Sequence, residues 1–217
     1  MRLVMLAVLV VGCGRSDVLA DEVSAPGQQP VTVCQSTCTA LPSGLETPVE
    51  TVPSSARPLH WLRCAGCVAV TVEPGLTREV GAATGRAVAL WSQATGGLCL
   101  ALEPEPTAWD EARLQRIHVR WFAASGRPST TVQQTTSTFE EKTGRMRNAL
   151  VELDEALSVK ELERALVYGL GQALGLGRSA DEVRSAMTPG LMGRDTPGPA
   201  DRTTLEGLYG ESPWCER

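Results

Sequence analysis

The sequence predicts an α+β domain: a twisted mixed β-sheet of four to five strands packed with two long helices and a short C-terminal helix. Short segments with apolar residues at every second position lie between segments whose apolar residues recur at helical spacing. The order of these segments mixes one crossover with shorter connections, which gives a mixed sheet with helices laid on it. With 217 residues, 42% of them hydrophobic, the chain can bury one core of ordinary size and has residues to spare. Five of the nine aromatic residues are tryptophans (Trp61, Trp91, Trp109, Trp121, Trp214), so a few large side chains must anchor that core.

Taken in order, Val68, Val70 and Val72 alternate with Ala69 and Thr71 as a strand that stops at Glu73-Pro74-Gly75. Val80, Ala83, Ala87, Val88 and Trp91 then mark an amphipathic helix ending by Gly96-Gly97. Leu98, Leu100 and Leu102 form a second strand. Ile117, Val119 and Trp121 form a third, with His118 and Arg120 on its polar side. The polar stretch 125–138 reads as a surface loop, and Ala149, Val151 and Leu153 as a further strand. Ser158 and Glu161 make a capping box, so a helix starts there. Leu162, Ala165, Leu166, Leu170, Ala173 and Leu174 give that helix a buried face, and Gly175 suits the left-handed turn that ends it. Tyr168 and Gln172, four apart, share another face. The predicted order is strand, helix, strand, strand, strand, helix.

Three segments are expected. Residues 1–12 carry Arg2 and an apolar run over 3–11, too short to span a bilayer and suited to an export signal. Val10-Val11-Gly12-Cys13 resembles the bacterial lipobox, which implies a lipid on Cys13, an N-terminal membrane anchor and a place in the cell envelope. Gly14 after that cysteine points to the outer membrane. Residues 13–59, with prolines at 26, 30, 42, 48, 53 and 58, read as a tether rich in Pro, Ser and Thr, and 60–217 as the domain. With Cys13 lipidated, Cys34, Cys38, Cys64, Cys67, Cys99 and Cys215 remain, an even set suited to three disulfides in an oxidising compartment. Structural zinc on Cys34, Cys38, Cys64 and Cys67, and free or redox thiols, are the other readings. Six cysteines permit fifteen pairings, so connectivity is open. A net charge of -5 without a dense Lys/Arg cluster argues against nucleic acid as a partner.

The segment 168–179, Tyr-Gly-Leu-Gly-Gln-Ala-Leu-Gly-Leu-Gly-Arg-Ser, resembles the zinc helix of metzincin metalloproteases, in particular the matrixin group with its pattern H-E-x-G-H-A-L-G-L-x-H-S. Along that pattern Tyr168 stands at the first zinc-binding His, Gly169 at the general-base Glu, Gln172 at the second His and Arg178 at the third. Gly171, the Ala173-Leu174-Gly175-Leu176 turn and Ser179 match. Downstream, Ser185-Ala186-Met187-Thr188-Pro189 resembles the Met-turn, with Met187 as its methionine, and 201–210 resembles the closing helix and Leu-Tyr-Gly end of matrixin domains. The resemblance covers roughly residues 61–210 and implies a zincin-like fold whose catalytic set is gone. Glycine offers no carboxylate, arginine repels a cation, and glutamine and protonated tyrosine are weak donors. His60 and His118 are the chain's two histidines, too few for a substitute site without a carboxylate brought in.

The expectation is therefore no catalytic residue, no zinc and no other cofactor. The chain is read as an inactive matrixin-like lipoprotein, an envelope-anchored binding or structural module. A protein or peptide would lie in the vestigial cleft along an edge strand, as metzincins dock their substrates. Two other readings stand beside it: an active zinc metallopeptidase with noncognate ligands, and an unrelated lipoprotein domain. Arg178 is expected to plug the cleft by pairing with Asp181, Glu182 or Asp195.

Overall fold

A computed structural model of the chain describes residues 37–38, 45–63, 66–104, 115–122, 131–210 and 215–216, all within one compact unit, Val33–Arg217. At positions 37, 38, 191, 215 and 216 it describes the backbone alone. The export signal, Cys13, Cys34 and Cys64, with Trp109 and Trp214, lie outside the described residues. No helix among the described residues is long and apolar enough to cross a membrane.

The strands are β1 (Thr37–Cys38), β2 (Val68–Val72), β3 (Leu100–Glu103), β4 (Arg116–Trp121), β5 (Gln133–Phe139), β6 (Met146–Leu153) and β7 (Cys215–Glu216). The helices are α1 (Arg78–Ala94), α2 (Val159–Ala173) and α3 (Pro199–Tyr209). Five strands make one sheet in the order β3-β2-β4-β6-β5. The first four run parallel and β5 lies antiparallel at the edge, while β1 and β7 form a separate two-stranded pair. The α+β class with a mixed sheet is therefore as the sequence predicts, with five strands and three helices.

Helix α1 packs over β2 and β3, α2 over β5 and β6, and the two helices pack on each other. The inward strand residues Val68, Val70, Ile117, Val119, Val151 and Leu153 meet Val80, Val88, Leu162, Leu166 and Leu170 of the helices in one core. Trp61 and Trp91 are fully buried there. Burial obliges each indole N–H to find an acceptor, and both use α2: Trp61 Nε1 donates to the Ala173 carbonyl at 2.7 Å and Trp91 Nε1 to the Val167 carbonyl at 2.9 Å. Cys67 and Cys99, each just before its strand, form a disulfide that ties β2 to β3.

Two expectations need correction. The polar stretch expected to be a loop contains β5, whose side chains alternate between half-buried and exposed. An edge strand buries one face only, and Gln133, Thr135 and Ser137 meet that need with polar, partly β-branched side chains, so no apolar alternation announces the strand. The folded body also begins upstream of residue 60. Thr47, Val52 and Leu59 are buried, Val49 bridges Leu176, and the Glu50 amide donates to the Gly175 carbonyl at 2.8 Å. A strap built from Thr, Pro and isolated Val has the composition of a linker, yet its backbone groups pair with the loop after α2.

Candidate functional site

Helix α2 positions the site. Its start is the predicted capping box: the Ser158 hydroxyl accepts from the Glu161 amide, and the Glu161 carboxylate accepts from the Ser158 hydroxyl at 2.5 Å and from the Ser158 amide at 2.9 Å, bonds that in that order hold the carboxyl below its ordinary pKa. Its end is fixed by Gly175 at φ +93°, where a Cβ would run into the Leu59 carbonyl. Two helix-end carbonyls find side-chain donors, Ala173 from Trp61 and Leu174 from the Tyr209 hydroxyl at 2.9 Å. Burial pushes the Tyr209 hydroxyl far up, so it stays a neutral donor.

Beneath the helix lies the turn 185–188. Met187 is fully buried, and Gly171 faces it: a Cβ added at 171 would overlap Met187 Sδ and come within 2.8 Å of Trp91 Cζ2. The turn hangs on Asp201 of α3, a fully buried carboxylate. It accepts from the hydroxyls of Thr47 at 2.8 Å and Ser185 at 2.6 Å, and from the amides of Ala186 at 2.7 Å and Gly198 at 2.9 Å. Four donors replace the water a buried charge gives up. Ser185 Oγ in turn accepts from the Met187 amide at 2.9 Å, so one carboxylate fixes the strap, the turn and the start of α3.

Above the helix a cleft of about 490 Å³ opens between α2, the β5 edge and the 189–190 turn, lined by Thr131, Gln133, Thr135, Tyr168, Gln172 and Arg178 among others. The structure thus brings together three of the four positions singled out in the sequence. Tyr168 is mostly buried, with the Arg178 guanidinium near its hydroxyl. Burial raises the Tyr168 pKa, the nearby Arg178 opposes that rise and Glu50 adds to it, so the phenol is neutral near pH 7. Of the partners expected for Arg178, Asp181 accepts through its carboxylate from the amides of Val183 at 3.1 Å and Arg184 at 2.9 Å in its own turn.

Gly169, the fourth position, is buried against β5 and β6. A Cβ there would stand 2.7 Å from Val151 Cγ1 and 2.8 Å from Gln133 Nε2. Thr135 Oγ1 donates to the Gly169 carbonyl at 3.1 Å and accepts from Gln133 Nε2 at 2.6 Å, so β5 is bonded to the helix where a longer side chain would need to pass. This contact was not readable from sequence, because the β5 segment read as a loop.

The two histidines are not brought to the cleft. His60 is buried with Nδ1 3.1 Å from the Pro58 carbonyl, and burial lowers its pKa against the opposing pull of that carbonyl. His118 is buried on β4 with Nδ1 3.1 Å from Thr71 Oγ1, beside a separate sheet groove lined also by Arg120 and Arg147. Among the described residues, no three His, Cys, Asp or Glu side chains are grouped to hold a metal. The residues at the four zinc-motif positions do not fit that ion: a permanent cation, a neutral phenol, an amide and a glycine supply none of the imidazole or carboxylate donors it takes.

No family model matches the chain, and no curated protein matches it. Among solved structures it is similar to the crystal structure of myroilysin, with 12% identity, 80% of this chain and 98% of that chain covered, and a TM-score of 0.43.

Proposed function

We propose that this chain is a catalytically inactive, metzincin-like protein of the matrixin type, whose cleft binds an extended peptide or protein segment and does not cut it. The observation that carries the reading is Gly169. At the position where the motif calls for a general base there is no side chain, and Val151 and Gln133 occupy the space a Cβ would need. Tyr168 and Gln172 on α2, with Arg178 beyond the turn that ends the helix, replace the ligands around the cleft, while Gly171, Gly175 and the turn around Met187 keep the scaffold beneath them. The outer edge of β5 supports peptide binding, because β5 ends the sheet and its outward backbone groups have no sixth strand to pair with among the described residues. A lipid on Cys13 would carry this module to the cell envelope, with the outer membrane as its site.

The test is elemental mass spectrometry on the chain carrying Cys13→Ser, purified without chelator, alongside peptide hydrolysis with and without chelator. Less than about a tenth of a zinc ion per chain and no chelator-sensitive cleavage is the expected result. About one zinc per chain with hydrolysis that a chelator abolishes sinks the inactive reading and restores a metallopeptidase. Incorporation of labelled fatty acid into the full chain, lost in Cys13→Ser, tests the anchor separately.

A further inference from the structure

The pair β1 and β7 joins distant parts of the chain by two residues on each side, with Thr37 opposite Glu216 and Cys38 opposite Cys215. Such a ladder is marginal by itself: two-stranded pairs much longer than this barely hold in water, and here no tight turn connects the strands. Its two rungs nevertheless set two cysteines directly across from each other, in a chain with only 7 cysteines among 217 residues. Directly opposed residues in an antiparallel pair have Cα atoms roughly 4.5 to 5.5 Å apart, inside the range of about 4.4 to 6.8 Å that a disulfide spans. The disulfide between Cys67 and Cys99, with a Cα separation of 4.4 Å, shows the same use of opposed cysteines at the entrance of the large sheet.

We propose that Cys38 and Cys215 form a disulfide that closes the folded body end to end. In its formation each thiol loses its proton, and the two electrons pass by thiol–disulfide exchange to an external disulfide, which leaves as a dithiol. The bond ties the chain just upstream of the strap to the segment after α3. Strap and α3 are the two elements that Thr47 and Asp201 already join, so the covalent tie and the buried hydrogen bond close the same circuit. A pull on the N-terminal tether then reaches the body through a closed loop and not through a terminus that can peel away.

The experiment is disulfide mapping on the full chain carrying Cys13→Ser, folded under oxidising conditions, alkylated without reduction and digested. No basic residue separates Cys34 from Cys38, so tryptic peptides are sequenced by fragmentation that cuts the backbone between them. A cross-link assigned by that fragmentation to Cys38 and Cys215, in a linked assembly about 2 Da lighter per disulfide than its thiol peptides and resolved into them on reduction, is the expected result. Cys215 joined to Cys34 or Cys64, or recovered alkylated, overturns the proposal. A Cys38→Ser variant checks the pairing from the other side. Its freed thiol, trapped by alkylation in denaturant, is expected at Cys215, and a freed thiol at Cys34 or Cys64 with Cys215 still linked counts equally against it.

Discussion

The floor and the wall of the cleft share helix α2 and are built to different tolerances. On the floor, Gly171 leaves no room for a methyl group above Met187, and the turn that carries Met187 hangs on a buried carboxylate with four donors. On the wall, Tyr168, Gln172 and Arg178 border an open cleft, and Arg178 is exposed beside Tyr168. The close packing of the floor fixes the path of the backbone whether or not the wall holds a metal. A scaffold of this kind can keep its shape while its chemistry is exchanged, because the residues that hold the turn are not those that face the cleft.

The sharpest way to break the contrast is at Asp201. Asp201→Ala leaves two hydroxyls and two amides buried without their acceptor, and an expected loss of about 4 kcal/mol in urea unfolding follows from the desolvation of those donors. A loss under about 1 kcal/mol would mean that the turn holds without the carboxylate. Next comes Gly171→Ala. Alanine is the better helix former by about 1 kcal/mol, but its methyl overlaps Met187 and crowds Trp91, so a net loss of about 2 kcal/mol is expected. Placing Gly171→Ala on a Met187→Ala background isolates the overlap: the cost of the glycine change should shrink or reverse there, and strict additivity would show that the crowding lies elsewhere.

What the sequence disclosed divides along the same line. The capping box at Ser158, the buried stripe of α2, the stop at Gly175 and the alternation in β2, β4 and β6 each arise from local periodicity or a local backbone demand. Tyr168, Gln172 and Arg178 were legible because one helix and the turn after it carry them. The β5 edge, Gln133 beside Gly169 and the strap from Thr47 to Leu59 were not, since their stability comes from partners far along the chain while their own composition is that of a loop or linker. Asp201 was in view only as part of a closing helix. Nothing local marks a carboxylate whose donors include Thr47, 154 positions away.

Away from the cleft, His60 offers a pH test of burial. Its folded-state pKa lies below its ordinary value because burial disfavours the imidazolium, with Arg145 adding to the effect. The unfolded chain therefore takes up the proton first as pH falls. The contribution of His60 is fully present above the unfolded pKa near 6.5 and is lost as pH drops below it, at no more than about 1.4 kcal/mol per pH unit for one proton. In His60→Gln the slope of stability between about pH 6.5 and 5 should flatten relative to the parent chain. An unchanged slope would show that the imidazole is protonated as easily folded as unfolded.

The smallest expected effects belong to the wall. Tyr168→Phe removes a hydroxyl that lies beside an exposed arginine, and Arg178→Gln removes a cation already open to solvent, so each should cost less than about 0.5 kcal/mol. Urea unfolding of the two variants beside Asp201→Ala therefore measures the contrast directly. A wall change costing as much as the floor changes would make Tyr168 and Arg178 a structural plug, a substitute for a metal in holding the helix. Small costs would leave them free to face a ligand. The neutrality of Tyr168 then matters: a phenol whose pKa is raised donates or accepts hydrogen bonds and does not act as a phenolate donor near pH 7, and beside a permanent guanidinium it forms a surface suited to peptide carbonyls and carboxylates.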